Sequence, residues 1–344
     1  MSEAVRIALV TPVAPPSVRG NAVTVGRLLT GLRSRGVTAE ALDLARTPVA
    51  AVAERLAELA PDVVHAFHAF RAGPAAAAFA RARGVPLVVS LTGTDVNHDL
   101  FDTQRRATTI AAIRAARALV AFHETIRAKV AREVPDAAPR VHVIPQSVVL
   151  GGEPFPLANL VPRRPGEVLF LLPAGIRRVK NVLWPLAPLG ALAERHPMRL
   201  LVVGPVIEES EGARLLAALN GADWAVYLGE IPHAQMASLL DQVDVVINSS
   251  LSEGGMANSV LEAMSRGTAV LASDIEGNRS VIEPEVDGLL FASSEDFARQ
   301  AERLMVDPAL RRRLGDAARA KASRLFSVER EVDAYLDLYR QLRA

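Results

Sequence analysis

NSSLSEGGMANSVLEAMSRGTAVLASDIEGNRSVIEPEVDGLLF, from Asn248 to Phe291, decides how the chain is read. An apolar run, Val243-Asp-Val-Val-Ile-Asn248, leads into it and stops at two serines. Its length and β-branched content predict a buried strand. A glycine turn follows, Glu253-Gly254-Gly255, and the spacing then predicts a helix from Ala257 or Asn258. That helix carries Val260, Leu261 and Met264 on one side and stops at Gly267. A second strand, Thr268–Ala272, and a third, ending Leu289-Leu290-Phe291, close the stretch. Strand, glycine turn, helix, strand is a geometry that aims unbonded backbone N–H groups at an anion. Two carboxylates flank that anion position: Glu253 before the helix and Glu262 inside it.

Outward from this stretch, the same β-α rhythm fills the chain. Short apolar runs at Val5–Val10, Thr38–Leu42, Asp62–Phe67, Leu87–Leu91, Ala118–Phe122 and Val141–Ile144 predict strands. Helical stretches such as Asn21–Arg35, Val49–Ala60 and Pro74–Arg83 lie between them. The pattern lapses at GGEPFPLANLVPRRPG, residues 151–166, where four prolines and three glycines predict an interdomain linker. It restarts with strands at Val168–Leu172, Arg199–Val203 and Ala225–Leu228 and helices at Val182–Arg195, Glu209–Leu219 and Ala234–Leu240. Helices over Glu295–Val306, Ala309–Leu325 and Val328–Leu342 end the chain. This is an α/β pattern of parallel sheets covered on both faces. We expect an N-terminal domain over 1–152, a linker over 153–166 and a C-terminal domain over 167–326. The carboxyl ends of both sheets would face a central cleft, where such folds bind ligands.

Composition removes several function classes. A chain of 344 residues, half of them hydrophobic, can form two cores. A net charge of +1 argues against nucleic acid and polybasic membrane partners. The absence of cysteine excludes disulfides and cysteine-based zinc sites and suits a reducing cytoplasm. Val5–Val10 is too short for a signal-peptide core, and no apolar run reaches the ~18 residues of a membrane span. Peripheral membrane contact stays open, as does the oligomeric state. No G-x-G-x-x-G, Asp-x-Asp, zincin or G-x-S-x-G motif occurs.

The remaining candidates are polar residues at strand ends. Gly175-Ile-Arg177-Arg178-Val-Lys180 follows the first strand of the second domain. An arginine fork and a lysine point charge there suit a diphosphate, although basic residues also make solvated turns. Arg19-Gly20-Asn21-Ala22 combines a glycine with a helix start; an ordinary turn with Asn21 as N-cap fits equally. His65 reads as a hydrogen-bonded core histidine. His68, Thr92, Asp95 and Asn97 end strands on the side where ligands bind, and Glu124 is either a candidate of that kind or a capping residue.

Glu262-Ala-Met264 and Gly277-Asn278-Arg279, taken with Glu253, resemble the signature of the retaining glycosyltransferases called family 4. The resemblance implies a GT-B fold of two Rossmann-like domains, with the last helix, 327–344, crossing back to the first. It implies a hexosyltransferase-type enzyme that is retaining and takes sugar from a nucleotide-sugar donor, UDP first. Donor contacts are then expected from Arg177, Lys180, Gly229, Ile231, Glu253, the segment Gly254, Gly255, Met256, Ala257, Asn258 and Ser259, Glu262, and the Gly20-Asn21 turn. Arg177, Lys180 and Glu253 would serve catalysis, and Arg178 is a substitute for Arg177. No metal and no cofactor is implied, since cations and amides would neutralise the diphosphate. His68, Thr92, Asp95, Asn97 and Glu124 are expected on the acceptor or sugar side. Thr92 stands where the family's His-Gly-Thr-Asp pattern has histidine. Eight residues, in place of the pattern's seven, separate Glu253 from Glu262. The extra one is Gly254 or Gly255. Either a glycine bulge absorbs it or the turn shifts register.

Across nearly the whole chain, the order of Gly20-Asn21, His68-Ala-Phe-Arg71, Gly93-Thr-Asp-Val-Asn97, His123-Glu124, Gly175–Lys180 and Asn248–Glu253 resembles the glycosyltransferase one-domain-containing subfamily. The selenosugar synthases, which transfer a UDP-activated sugar to selenophosphate, rank second. A non-catalytic nucleotide-sugar-binding protein and a GT-B epimerase are the alternatives from other classes.

Overall fold

The computed structural model describes residues 5–15 and 20–343; Arg19 lies outside them. It divides into two compact units. Met1–Ser147, Gly254–Met256 and Phe326–Ala344 form the first; Val148–Glu253 and Ala257–Leu325 form the second.

The first unit runs β1 (Arg6–Thr11), α1 (Gly20–Ser34), β2 (Thr38–Asp43), α2 (Val49–Leu59), β3 (Val63–Phe67), α3 (Gly73–Arg83), β4 (Leu87–Leu91), α4 (Arg106–Ala115), β5 (Ala118–Ala121), α5 (Glu124–Glu133) and β6 (Val141–Val143). A one-turn π-helix, Asp95–Asp99, follows β4. The second unit runs α6 (Leu157–Leu160), β7 (Val168–Pro173), α7 (Leu186–Ala193), β8 (Met198–Val203), α8 (Glu209–Leu219), β9 (Ala225–Tyr227), α9 (Met236–Leu240), β10 (Val245–Asn248), α10 (Asn258–Arg266), β11 (Ala269–Ser273), α11 (Glu276–Arg279), β12 (Leu289–Phe291), α12 (Ser294–Val306) and α13 (Pro308–Leu325). The last helix, α14 (Val328–Arg343), belongs to the first unit.

Each unit holds one six-stranded parallel sheet. The first is ordered β2-β1-β3-β4-β5-β6 and the second β12-β11-β10-β7-β8-β9. In the second, β7 starts the sheet, β8 and β9 extend it one way, and β10 opens the other side. The loops after β7 and β10 therefore leave neighbouring strands at the switch point, where the crossovers diverge and a ligand crevice opens. Topology alone thus brings Gly175–Lys180 beside the start of the quoted stretch.

Two expectations change. The helix expected over Val182–Arg195 is shorter, because Pro185 precedes Leu186 and the chain before it turns as a 3₁₀ segment, Arg178–Lys180. Proline suits the first turn of a helix, where Pro188 also lies, and disrupts positions further in. The proline-rich segment is also not a free connector. Gln242 Nε2 donates to the Phe155 carbonyl at 2.9 Å, and the Phe155 amide donates to Ser238 Oγ at 2.9 Å. These bonds hold it on the second unit.

Alternation builds the cores. Ala8 and Val10 of β1 join one cluster with Leu56, Leu91 and Ile113, while Ile7 and Leu9 join another on the opposite face. That second cluster packs under α1 and α14 through Leu28, Leu32, Tyr335 and Tyr339. The two helices approach closely at Gly31, where a Cβ would fall 2.3 Å from Val332 Cγ2. In the second unit Trp184 stacks on Phe291 with centroids 5.0 Å apart, and Phe297 meets both edge-on.

His65 lies fully buried in β3, and both ring nitrogens are bonded. Nδ1 is 2.7 Å from the Tyr339 hydroxyl and Nε2 is 2.8 Å from Ser90 Oγ. Burial pushes its pKa down from 6.5 to about 3. Below pH 6.5 the unfolded chain therefore binds a proton that the folded chain refuses, and stability falls as pH drops from 6.5 towards 3. At pH 5 the loss is about 2 kcal/mol. Urea unfolding at pH 7.5 and 5 should show His65→Gln losing less stability on acidification than the wild type. Equal losses would contradict this.

Candidate active site

In the second unit the loop after β7 carries Arg177 and Lys180, and the loop after β10 carries Glu253. Lys180 Nζ and the Glu253 carboxylate form an ion pair with side chains 18% and 12% exposed. The same carboxylate oxygen accepts from Ser250 Oγ at 2.6 Å and from Asn248 Nδ2 at 3.2 Å. Burial alone would raise the Glu253 pKa, but the Lys180 charge and these hydrogen bonds outweigh it and hold it below the ordinary glutamate range. Backbone contacts fasten the two loops: Ser249 Oγ donates to the Lys180 carbonyl at 3.1 Å, and the Leu251 amide donates to the Val179 carbonyl at 2.9 Å. Arg177 is exposed in extended backbone, and among the described residues no hydrogen bond or ion pair holds its side chain. Arg178 is exposed as well, its amide donating to Glu208 at 3.0 Å.

The helix α10 begins at Asn258, after Ala257, a residue with no side-chain oxygen to cap it. The Val260 amide donates to the Ala257 carbonyl at 3.0 Å, and the positive end of the helix dipole at Asn258 and Ser259 favours an anion. Asn248 Nδ2, which bonds Glu253, also lies 3.4 Å from Ser259 Oγ. Lys180, Glu253, Asn248 and Ser259 are thus one connected group. One turn on, Glu262 is nearly buried and its Oε1 lies 2.9 Å from His233 Nε2. His233 follows the loop of Gly229 and Ile231, in which Gly229 has φ 77° and its carbonyl accepts from the Gly204 amide at 2.8 Å. Ile231 is buried.

The eight-residue spacing leaves Glu253 beside Lys180. Neither Gly254 nor Gly255 takes a positive φ, so the left-handed freedom expected of a glycine bulge is not used. Gly254, Gly255 and Met256 cluster with the first unit.

The first unit gathers a second set of polar residues. Asn21 Nδ2 lies 3.4 Å from Thr92 Oγ1. Asn21 sits inside α1, which begins at Gly20, so it is not the N-cap that the sequence allowed. His68, buried with φ 99°, accepts from the Arg71 amide at Nδ1, 3.2 Å, which places its proton on Nε2, 2.9 Å from Thr94 Oγ1. Asp95 is fully buried and accepts from the amides of Ala69, Thr92, Gly93 and Val96 at 2.7–3.2 Å. Its carboxylate shapes the loop around Thr92; it is not presented as a contact. Asn97 accepts from Lys129 of α5. Glu124 stands apart: it is exposed at the first turn of α5 and pairs with Arg127 at 2.8 Å.

His233, Asn248 and Ser250 were given no site role from the sequence, although Asn248–Glu253 was quoted as a motif. For Asn248 and Ser250 a signal existed, since polar residues that end a buried strand seldom lack partners. For His233, after Pro232 in a turn, no local signal exists.

Comparison with known proteins agrees with this architecture. The profile described as glycosyltransferase family 4 matches residues 4–150, and that described as glycosyl transferases group 1 matches residues 167–307. A glycosyltransferase 1 domain-containing protein 1 of Xenopus tropicalis is 28% identical over 332 residues, 94% of this chain and 95% of its own. Among solved structures, Anabaena HepE in complex with UDP and glucose superposes with TM-score 0.81 at 16% identity, covering 97% of this chain and 99% of that one. Sucrose-phosphate synthase of Thermosynechococcus elongatus gives TM-score 0.81 at 20% identity, covering 98% and 99%. These two likenesses speak of the fold. Among the described residues no helix is long and apolar enough to cross a membrane. Two profiles of one kind, one for each half, leave a single assignment: the chain is a glycosyltransferase with the GT-B fold, belonging to the group 1 glycosyltransferases of family 4.

Proposed function

We propose that the protein transfers a sugar from a nucleotide-sugar, a UDP-sugar, to an acceptor, with retention of anomeric configuration and without a metal ion or cofactor. The observation that carries this reading is the Lys180–Glu253 pair beside the uncapped start of α10. The diphosphate lies against that helix start, with Arg177 and Lys180 on its oxygens. As the sugar–phosphate bond breaks, charge grows on the terminal phosphate. Cations and amides stabilise it there, and electrostatic donors aimed at developing charge usually give the largest catalytic term. Arrival of the phosphate draws Lys180 away from Glu253. The carboxylate, kept ionised by its surroundings, then accepts from hydroxyls of the donor sugar. Glu262, oriented by His233, meets the ribose, and the Gly229–Ile231 loop meets the base. Thr92, His68, Asn97 and Asn21 serve the acceptor or sugar side, with Asp95 holding their loop. That HepE was solved with UDP favours UDP as the nucleotide. With no cysteine in the chain, we place the reaction in the cytoplasm.

Thermal unfolding tests the donor and the metal together. UDP at about 100 times its Kd should stabilise the protein by about 2.7 kcal/mol, equally with and without EDTA. A shift that vanishes on chelation would contradict the role given to the cations.

A further inference from the structure

Asn278 is fully buried in α11, and among the described residues its side-chain hydrogen bonds reach the residues given roles above only through Asn248. Its Nδ2 donates to the Ser273 carbonyl at 2.9 Å, which only accepts, so the orientation of the carboxamide is settled. The same Nδ2 lies 3.3 Å from Asn248 Oδ1 and 3.2 Å from Ser273 Oγ. Asn248 Oδ1 also accepts from the Ser250 amide at 3.2 Å. With its oxygen turned to these donors, Asn248 must aim Nδ2 the other way, at Glu253 and Ser259. Asn278 Oδ1, equally buried, has no partner among the described residues. An unpaired buried carbonyl is costly, and packing alone would favour an apolar residue here. What asparagine supplies at 278 is the Nδ2 donor.

We propose that Asn278 is a positioning residue: through Asn248 it sets the direction of the Glu253 carboxylate. The inference rests on the reading that Glu253 meets the donor sugar. Ser273, at the end of β11, anchors the relay from behind, its Oγ donating to the Ser250 carbonyl at 2.7 Å.

Calorimetric Kd values for UDP and for UDP-glucose test it on the full chain. Asn278→Ser should leave UDP affinity within about threefold and weaken UDP-glucose about tenfold, the scale of one lost hydrogen bond. Asn248→Ala, one bond nearer the site, should do the same, and it serves as the test if Asn278→Ser fails to fold. In a Glu253→Gln background either change should cost less than about twofold further, because residues acting in series are not additive. Retained UDP-glucose affinity in Asn278→Ser, with loss in Glu253→Gln, overturns the relay and leaves the Glu253 reading standing. Retained affinity in Glu253→Gln overturns that reading and the relay with it. Equal weakening of both ligands by Asn278→Ser, or full additivity with Glu253→Gln, also overturns the relay, since a general packing role would give those results.

Discussion

Lys180→Ala is expected to lower turnover by about 10²–10³ while weakening UDP by a far smaller factor. Lys180 is one of two cations assigned to the terminal phosphate, and its charge matters most when the charge on that phosphate peaks. The substitution also strands Glu253. The carboxylate keeps Ser250 and Asn248 but loses its cation, and the balance that lowers its pKa tips towards the burial that raises it. A carboxyl whose folded pKa is depressed contributes stability above its ordinary value of 4.5 and loses it as pH falls through the folded value. In Lys180→Ala that contribution should vanish, leaving the protein less stable than the wild type near neutral pH. Glu253→Gln added to Lys180→Ala should recover stability without recovering turnover. If Lys180→Ala keeps the wild-type kcat, the diphosphate is held elsewhere.

Glu331→Ala should destabilise the first unit by about 3–5 kcal/mol. Glu331 of α14 holds Arg27 of α1 in a two-pronged pair, Nε–Oε2 2.8 Å and Nη2–Oε1 3.1 Å, with side chains 1% and 5% exposed. Ser147 Oγ donates to the same carboxylate. Truncating the acid leaves a buried guanidinium without its counter-charge, which costs more than the pair itself contributes. Arg27→Met with Glu331→Leu should therefore lie much nearer the wild type. The readout can be made local. Both tryptophans, Trp184 and Trp224, pack in the second unit, so their fluorescence follows that unit. Glu331→Ala should shift the urea transition seen by far-UV circular dichroism more than the one seen by tryptophan. Equal stability of Glu331→Ala and the wild type would contradict the account of how α14 is fixed.

The strands were legible because parallel sheets buried on both faces read as continuous apolar runs, as β3, β4 and β5 do. The glycine stop was legible too, with Gly267 taking the left-handed φ that ends α10. Partnership was not legible. Lys180 and Glu253 are 73 positions apart, and only the strand order β10-β7 makes them neighbours. Asp95 and Glu124 looked alike as acids after strands. Burial separates them, giving one to four backbone amides and the other to solvent. The glycine pair after Glu253 was legible as a turn, but the reason expected for it, unusual φ, is not the one the chain uses.

We propose transfer of a sugar from a UDP-donor with retention. The most direct measurement is incubation of the protein with ¹³C-labelled UDP-sugars and a pool of candidate acceptors, read by mass spectrometry and by NMR of the anomeric carbon. A new labelled glycoside with the anomeric configuration of its donor is expected, formed equally with and without EDTA, and lost in Lys180→Ala. An isomerised donor with no glycoside, an inverted product, or tight UDP-sugar binding with no turnover against any acceptor would contradict it.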